Sequence, residues 1–145
     1  MDEKLLIEDL IPHRGGMRLI DTIVAVDHIH AVTASTVKAD WPLVGTRGAG
    51  PLLLIELAAQ TAGVCFGWNE LKKPVEQRDE AKGWLVGVKM ATFFVEDLTM
   101  GALITIRTET VLVVEHYKEI LAKAFLEENL VAEIQLQVLQ AEQVS

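Results

Sequence analysis

The chain has little of several features that define protein classes. Among its 145 residues only Cys65 is a cysteine, so no disulfide can form within the chain, and a reducing compartment is expected. Basic residues are also few, since 13 Lys and Arg stand against 21 Asp and Glu, giving a net charge of −8. A nucleic-acid surface needs a clustered basic excess, so this balance argues against a nucleic-acid partner.

Signals for export and for membrane insertion are missing as well. The N-terminus, MDEKLLIEDLIPHR, is acidic and lacks the basic-then-apolar layout of a signal peptide, so we expect a cytoplasmic protein. The most apolar stretch, PLLLIELAAQTAGVCFGW (Pro51 to Trp68), is almost as long as a membrane span, but Glu56, Gln60 and two glycines interrupt it. We therefore expect a buried helix there.

What the chain does have is a large apolar fraction and an uneven charge. Half of the residues are hydrophobic, which at this length predicts a single domain, 1–145, with a substantial core. Residues 1–90 hold 10 Lys and Arg against 12 Asp and Glu, whereas residues 91–145 hold 3 against 9. An acidic ligand is therefore expected to dock on the first part of the chain.

Residue patterns predict the order of the elements. A short helix over residues 3–11 ends at Pro12, and two β-branched segments follow it, with a bend from Asp27 to His30. The loop WPLVGTRGAGP leads into a long helix from about Pro51 to Asn69, and the exposed connection LKKPVEQRDEAKG comes next. Four antiparallel strands complete the chain.

The last strand shows the clearest alternation. The residues predicted for its buried face are Leu130, Ala132, Ile134, Leu136 and Val138, after a hairpin turn at 127–129. A helix that is apolar on nearly every side has to be enclosed, so the element order indicates an α+β fold in which a curved antiparallel sheet wraps around one long helix.

Four stretches of the sequence carry a family resemblance. They are IPHRGGMRLIDTIVAVD (Ile11 to Asp27), LLIELAAQTAG (Leu53 to Gly63), GWLVGVKMATF (Gly83 to Phe93) and LVAEIQLQV (Leu130 to Val138). In this order they resemble the β-hydroxyacyl-acyl-carrier-protein dehydratase family, which has the hotdog fold, and especially a divergent branch associated with aryl polyene and polyketide-like pathways. The resemblance covers nearly the whole chain.

This resemblance implies a lyase activity in fatty-acid or polyketide-type acyl chain synthesis. The enzymes of the family remove water from a 3-hydroxyacyl thioester, and no separate cofactor is expected because phosphopantetheine carries the substrate. Glu56 falls on the family's helix carboxylate, where it would protonate the departing hydroxyl. Gln60 lies one turn further on the same helix face, so it can orient Glu56 or line the substrate tunnel.

Two family features are absent from this sequence. Pro42 stands where the family has its loop histidine, and no histidine occurs in DWPLVGTRG. Pro51 matches the glycine whose backbone N–H holds the thioester oxygen, so that donor would have to be Gly50 or Leu52. His13 is the candidate for the missing base, and its alternative role is a backbone hydrogen bond at the end of the N-terminal helix.

Other side chains have less specific interpretations. Arg14, Arg18 and Arg47 near the proposed tunnel mouth, with Lys72, Lys73, Arg78 and Lys82 after the helix, would suit phosphopantetheine and an acidic acyl carrier protein or a coenzyme A thioester, or would serve solubility alone. His28 and His30 lack neighbouring ligands at zinc spacing, so no metal site is predicted, and His116 is expected on the surface. Three tryptophans can line an acyl pocket or belong to the core: Trp41, Trp68 and Trp84.

An oligomer is expected because a small hotdog sheet leaves a long edge strand unpaired. We expect a homodimer at least, with another hotdog subunit as an alternative partner. Three functions remain open: a dehydratase, a non-catalytic subunit that binds an acyl chain or its carrier protein, and an acyl thioesterase.

Overall fold

The computed structural model of the chain describes residues 7–11, 18–42, 44–45, 48–77 and 83–141. Its helices are α1 (Ile7–Leu10) and α2 (Leu53–Lys72), with one turn of 3-10 helix at Val75–Gln77. Its strands are β1 (Thr22–Val26), β2 (His30–Thr36), β3 (Val44–Gly45), β4 (Gly48–Ala49), β5 (Gly83–Phe93), β6 (Leu103–Val114), β7 (Tyr117–Leu126) and β8 (Asn129–Ala141).

Six of the strands form one antiparallel sheet in the order β1-β2-β6-β7-β8-β5, and β3 pairs with β4 in a separate two-stranded ladder. Helix α2 contacts every strand of the six-stranded sheet. This arrangement confirms the predicted α+β class and hotdog fold. It also places β1 and β5 at the two edges of the sheet.

The core lies between α2 and the sheet face that the helix covers. From the sheet, alternate residues of three central strands are almost fully buried: Ile104 and Ile106, Ile120 and Ala122, and Ile134, Leu136 and Val138. Helix residues Leu54, Leu57 and Val64 are buried against them. The alternation predicted from the sequence therefore sets which face of each strand meets the helix. No helix within the described ranges has the length and apolar character to cross a membrane.

The structure differs from the sequence prediction in three places. Helix α2 starts two residues later than predicted and ends three residues later, at Lys72. The loop before it contains β3 and β4, which the turn-rich composition did not indicate. In β8, Leu130 is exposed and Val131 is buried instead, because a bulge shifts the β7–β8 register between Ala124 and Phe125.

Two glycines of α2 let the N-terminal segment pack closely on it. A Cβ at Gly67 would lie 2.7 Å from the Cα of Leu10 and would also meet that residue's carbonyl group. A Cβ at Gly63 would lie 3.1 Å from Cγ2 of Ile11. Gly63 and Gly67 are four residues apart and so share one helix face, which seats the end of α1.

Candidate active site

Glu56 and Gln60 form a hydrogen-bonded pair in the N-terminal half of α2. Glu56 is half-buried, whereas Gln60 has no exposed surface. Gln60 Nε2 donates to Glu56 Oε1 at 3.0 Å, across the i,i+4 spacing that the sequence predicted. The carboxylate that interrupts the apolar run is therefore held by a second polar side chain of that run, Gln60.

Gln60 also bonds to the chain that enters β1. Its Oε1 accepts a hydrogen bond from the backbone N–H of Leu19 at 2.9 Å. Leu19 and Ile20 are both buried, so this bond joins two core segments 41 residues apart in sequence. One buried amide thus connects the helix carboxylate with the segment that follows residues 12–17.

The start of α2 carries backbone donors close to Glu56. Leu52 caps the helix without a side-chain hydrogen bond, and the N–H groups of Leu53, Leu54 and Ile55 donate to carbonyls three residues earlier. None of the hydrogen bonds among the described residues uses the N–H of Gly50 or of Leu52. Leu52 precedes Glu56 by four residues, about 6 Å along the helix axis.

A short ladder fixes the approach to this helix start. Ala49 and Leu98 exchange two backbone hydrogen bonds, at 3.0 and 2.8 Å. Gly48, at a φ of +130°, lies so close to the Leu98 carbonyl that no side chain fits there. Gly50 therefore directly follows Ala49, whose backbone is held in place by its two hydrogen bonds to Leu98.

Several predicted site residues fall outside the described ranges. These are His13, Arg14 and Arg47. The described residues on each side of the segment 12–17 do lie on the α2 face that carries Glu56. Ile11 packs at Gly63, and Leu19 binds Gln60.

The three candidate basic residues that the structure describes, Arg18, Lys72 and Lys73, do not form one cluster. Arg18 lies next to Leu19 and pairs with Glu8 at 3.8 Å. Lys72 and Lys73 lie at the other end of α2, where Lys72 stands over the Trp68 ring and Lys73 pairs with Glu70. Sixteen residues of helix, about 24 Å, separate Lys72 from Glu56. These two lysines therefore lie far from Glu56 in the chain, in the connection after the helix where the sequence predicted them. Arg78 and Lys82 lie outside the described ranges.

The histidines of the β1–β2 turn are bound locally. His28 Nδ1 lies 3.0 Å from Asn69 Oδ1, and His30 Nδ1 lies 3.1 Å from both oxygens of Asp27. His116 is exposed in the β6–β7 turn, as predicted. Within the described part of the chain, no group of three or more His, Cys, Asp or Glu residues is arranged to hold a metal ion.

The remaining candidates belong mainly to the core. Cys65 is 2% exposed and donates to the carbonyl of Asp27 at 3.3 Å, and burial raises the pKa of its thiol to about 11. Trp41 is buried, and Trp68 packs edge-on against His28 with ring centres 5.1 Å apart. The side chain of Trp84 is outside the described set.

Sequence reasoning missed two parts of the site, the Leu19 amide and the Ala49–Leu98 ladder. Both are backbone contacts between distant segments, and a backbone group has no residue-type signature. The only signal was indirect, because a polar Gln60 within an apolar run requires a buried partner.

Comparisons with known proteins agree with this architecture. Residues 5–145 match the family model described as ApeP-like, ApeP dehydratase. No curated protein sequence matches the chain. The chain is similar to a solved structure of the dehydratase heterocomplex ApeI:P from Xenorhabdus doucetiae, with 20% identity and a TM-score of 0.83 over 97% of this chain and 94% of that chain.

Two further solved structures share the fold. One is an HP0420 homologue from Helicobacter felis, with 13% identity and a TM-score of 0.72 over 100% of this chain and 96% of that one. The other is a hypothetical thioesterase with coenzyme A from Streptococcus pneumoniae TIGR4, with 14% identity and a TM-score of 0.63 over 86% and 88%. Because the family model spans nearly the whole sequence, the chain belongs to the ApeP-like dehydratase family.

Proposed function

We propose that this protein takes part in the dehydration of 3-hydroxyacyl groups carried as thioesters on phosphopantetheine, with Glu56 as the general acid. The observation that carries the proposal is the position of Glu56. It is a half-buried carboxylate, held by Gln60, one helical turn after Leu52 and six residues after Gly50, and no described residue binds the backbone N–H of either. Membership of the dehydratase family supports the reaction type.

The site accounts for both ends of the reacting group. The thioester carbonyl oxygen accepts from the N–H of Leu52 or Gly50, which stabilises the charge that develops when a base removes the Cα proton. Glu56 then gives its proton to the 3-hydroxyl as the C–O bond breaks, so the products are a 2-enoyl thioester and water. The base gains one proton from Cα and Glu56 loses one to the hydroxyl, so the number of protons on the protein is unchanged after one reaction.

The base in this proposal is His13. It follows Ile11 by two residues, a reach of at most about 7 Å along the chain. Ile11 packs at Gly63, on the helix face that carries Glu56, and the chain returns to that face where Leu19 binds Gln60. Both fixed ends of the intervening segment therefore favour a base on the Glu56 side of the helix.

In this proposal the functional assembly contains a second hotdog subunit. That subunit is either another copy of the chain or a different hotdog chain. The similar structure from Xenorhabdus doucetiae is a heterocomplex. Among the strands that the structure describes, β5 pairs only with β8 and stands at the sheet edge. Its Val86 and Val88, paired with the buried Val138 and Leu136, point to the helix side but are each 46% exposed. A strand added to β5 would cover this apolar surface.

The pairing is tested by placing a charge on the β5 edge. V88K is expected to lower the mass of the assembly, measured by light scattering during gel filtration, because a lysine would be buried at the joint. V24K is the matched control, since Val24 is 56% exposed on β1 at the opposite edge. Equal masses for V88K and the wild type would contradict pairing through β5.

A 3-hydroxyacyl-pantetheine substrate tests the reaction directly, with the chain alone and with a hotdog partner. Formation of the 2-enoyl product supports dehydration. Free thiol would instead indicate a thioesterase. No product in either setting would favour a non-catalytic subunit that binds the acyl chain or its carrier, a role that Pro42 in place of the loop histidine favours.

Replacement of the acid tests its assignment. E56Q is expected to lower kcat by about 10²- to 10⁴-fold, the usual contribution of general acid catalysis. E70Q is the control, because Glu70 lies on the same helix but pairs with Lys73 at 3.0 Å. An unchanged elimination rate in E56Q would overturn the role of Glu56.

The carrier is tested by comparing two forms of the substrate. If Arg14 and Arg47 contact an acidic acyl carrier protein, R14E and R47E lower kcat/KM for the carrier-bound substrate much more than for the pantetheine thioester. K72E is the control, because Lys72 lies at the far end of α2. Equal losses with both substrates would indicate that the arginines contact pantetheine or serve the fold.

A further inference from the structure

The residues of β5 alternate between the two faces of the sheet, except at one bulge. Residues directly opposite one another on antiparallel strands share a face. Four residues of β5 lie opposite buried residues of β8 and so face helix α2: Val86, Val88, Ala91 and Phe93. Three residues lie opposite β8 residues of the outer face: Gly87, Met90 and Thr92. The facing of β5 is therefore assigned on both sides of the bulge.

The bulge makes this facing pattern symmetric. The register shifts between Val88 and Met90, which leaves Lys89 as the extra residue. Lys89 binds Glu119, which lies opposite Gln137 on the outer face, so Lys89 and Met90 both face outward. From residue 86 to residue 93 the order of faces is consequently the same in both directions, with its centre between Lys89 and Met90.

A strand with this symmetry is complementary to itself. If two copies pair antiparallel about a two-fold axis at that centre, Val88 lies opposite Ala91 of the second copy and Val86 opposite its Phe93, and each pair shares a face. Both strands carry the bulge at the axis, so neither has an unmatched residue. The pairing would cover the two valines, each 46% exposed in the single chain. A different chain would need a bulge at the matching place, so the pattern favours a second copy.

The charge of Lys89 is turned away from the edge at which the copies would meet. Lys89 is the only charged residue of β5, and a lysine on an edge strand usually prevents pairing. Its Nζ donates to Oε2 of Glu119 on β7 at 3.0 Å, and this bond raises the pKa of Lys89. Because β7 lies two strands inward from β5, about 10 Å away, the Lys89 side chain extends across β8. Its charge is therefore neutralised within its own chain.

We infer that β5 pairs with β5 of a second copy of this chain about a two-fold axis between Lys89 and Met90, and that Glu119 permits this pairing by holding Lys89 off the joint. The inference rests on the pairing through β5 in the proposed function, and it assigns the place at that edge to a second copy. In this register the Lys89 residues of both copies lie beside the axis, where free like charges would face one another.

Disulfide cross-linking tests the register. V88C and A91C are prepared separately in a C65A background, mixed to exchange subunits and then oxidised. The inferred register places these two positions directly opposite, with Cα atoms about 5 Å apart, which suits a disulfide. A mixture of V86C and A91C is the matched control, because these positions would be diagonal neighbours about 7 to 8 Å apart. We expect a covalent dimer from the first mixture and much less from the second.

E119Q tests the role of Glu119. The new amide can still accept from Gln135, which donates to Glu119 at 3.2 Å, but it no longer neutralises Lys89. We expect the dissociation constant of the dimer, measured by sedimentation equilibrium, to rise on the order of tenfold. K89M/E119Q is expected to restore association, because it removes the cation as well. E128Q is the control, since it removes the same charge in the β7–β8 turn.

The outcomes separate the parts of the inference. A wild-type chain that is monomeric alone and pairs only with a different hotdog chain would show that the occupant is not a second copy. Equal cross-linking in the two mixtures would contradict the register. An unchanged dissociation constant in E119Q, or no recovery in K89M/E119Q, would contradict the role of Glu119.

None of these measurements needs a substrate, so their failure leaves the proposed dehydration untouched. The pairing itself is also distinguishable from its register. A lower mass in V88K without the cross-link between V88C and A91C would keep the joint at β5 and exclude this two-fold axis.

Discussion

The two halves of α2 each use one side-chain amide to hold the chain near β1, but they use it differently. In the C-terminal half, Asn69 donates from Nδ2 to the His28 carbonyl at 2.9 Å and contacts His28 Nδ1 through Oδ1 at 3.0 Å. In the N-terminal half, Gln60 binds the Leu19 backbone at one end and the Glu56 carboxylate at the other. Asn69, which also donates to Cys65 Sγ at 3.7 Å, thus binds a turn residue and a buried thiol, whereas Gln60 joins the fold to a group capable of acid catalysis.

This difference shows how a buried polar residue can be interpreted. An amide such as Asn69, which ties a turn to its own helix, needs no explanation beyond stability. An amide that connects backbone to a half-buried carboxylate constrains a chemical group, so it is the more informative of the two. If this contrast holds, the C-terminal half of α2 is only structural, whereas the N-terminal half is also chemical.

The largest effect is expected at Gly67. In G67A the new Cβ would meet the backbone of Leu10, which cannot yield without moving α1. We expect a loss on the order of 3 kcal/mol in the free energy of unfolding, despite a gain of about 1 kcal/mol in helix propensity. G63A is the control, because its Cβ would meet only a side-chain methyl of Ile11 at 3.1 Å. Urea denaturation of both variants measures the contrast, and equal losses would contradict it.

A smaller difference is expected between the two amides themselves. Q60M leaves the buried Leu19 N–H without its partner, at a cost of about 1 to 3 kcal/mol in unfolding free energy. N69L removes bonds to a residue that water can reach, so we expect a loss below about 1 kcal/mol. Chemical denaturation compares them directly. A larger loss in N69L would show that the C-terminal half, not the site, depends more on its amide.

The sequence predicted the elements better than the contacts between them. Alternation in β8 and the apolar character of α2 were sufficient for the fold, because both follow from local periodicity. The burial of Val131 in place of Leu130 was not predictable, since it results from a bulge, and a bulge depends on the partner strand. The spacing of Glu56 and Gln60 predicted that they share one helix face. The hydrogen bond from the Leu19 N–H to Gln60 was not predictable, because every residue except proline carries the same backbone donor.

The thiol of Cys65 provides a pH test of the C-terminal half. Burial raises its pKa to about 11, against 9.0 for an exposed thiol, so the folded chain keeps this proton where the unfolded chain loses it. Stability from this group is therefore complete below pH 9 and falls as the pH rises toward 11. The unfolding free energy of the wild type relative to C65A should fall by at most about 1.4 kcal/mol per pH unit in that window. A constant difference would show that the thiol is not desolvated.

The smallest effect is expected at Asp27, the carboxylate of the β1–β2 turn, which lies beside the C-terminal half of α2. Its Oδ1 accepts from the N–H groups of Ile29 and His30 at 2.9 and 2.7 Å, and these bonds, with the nearby His30 ring, lower its pKa below 3.8. Stability from this carboxylate is therefore present above pH 3.8 and is lost as the pH falls through the lowered pKa.

D27N isolates the charge of Asp27, because its amide oxygen can still accept from the turn. We expect D27N to unfold at a slightly lower temperature than the wild type at pH 7, and the difference to shrink as the pH falls through the lowered pKa of Asp27. Because backbone bonds are the main cause of the shift, 0.5 M salt should reduce the difference at pH 7 only in part. Its complete loss in salt would show that the His30 charge dominates. In that case a neighbouring side chain would hold the carboxylate of Asp27, as Gln60 holds that of Glu56. The contrast between the two halves of α2 would then be weaker.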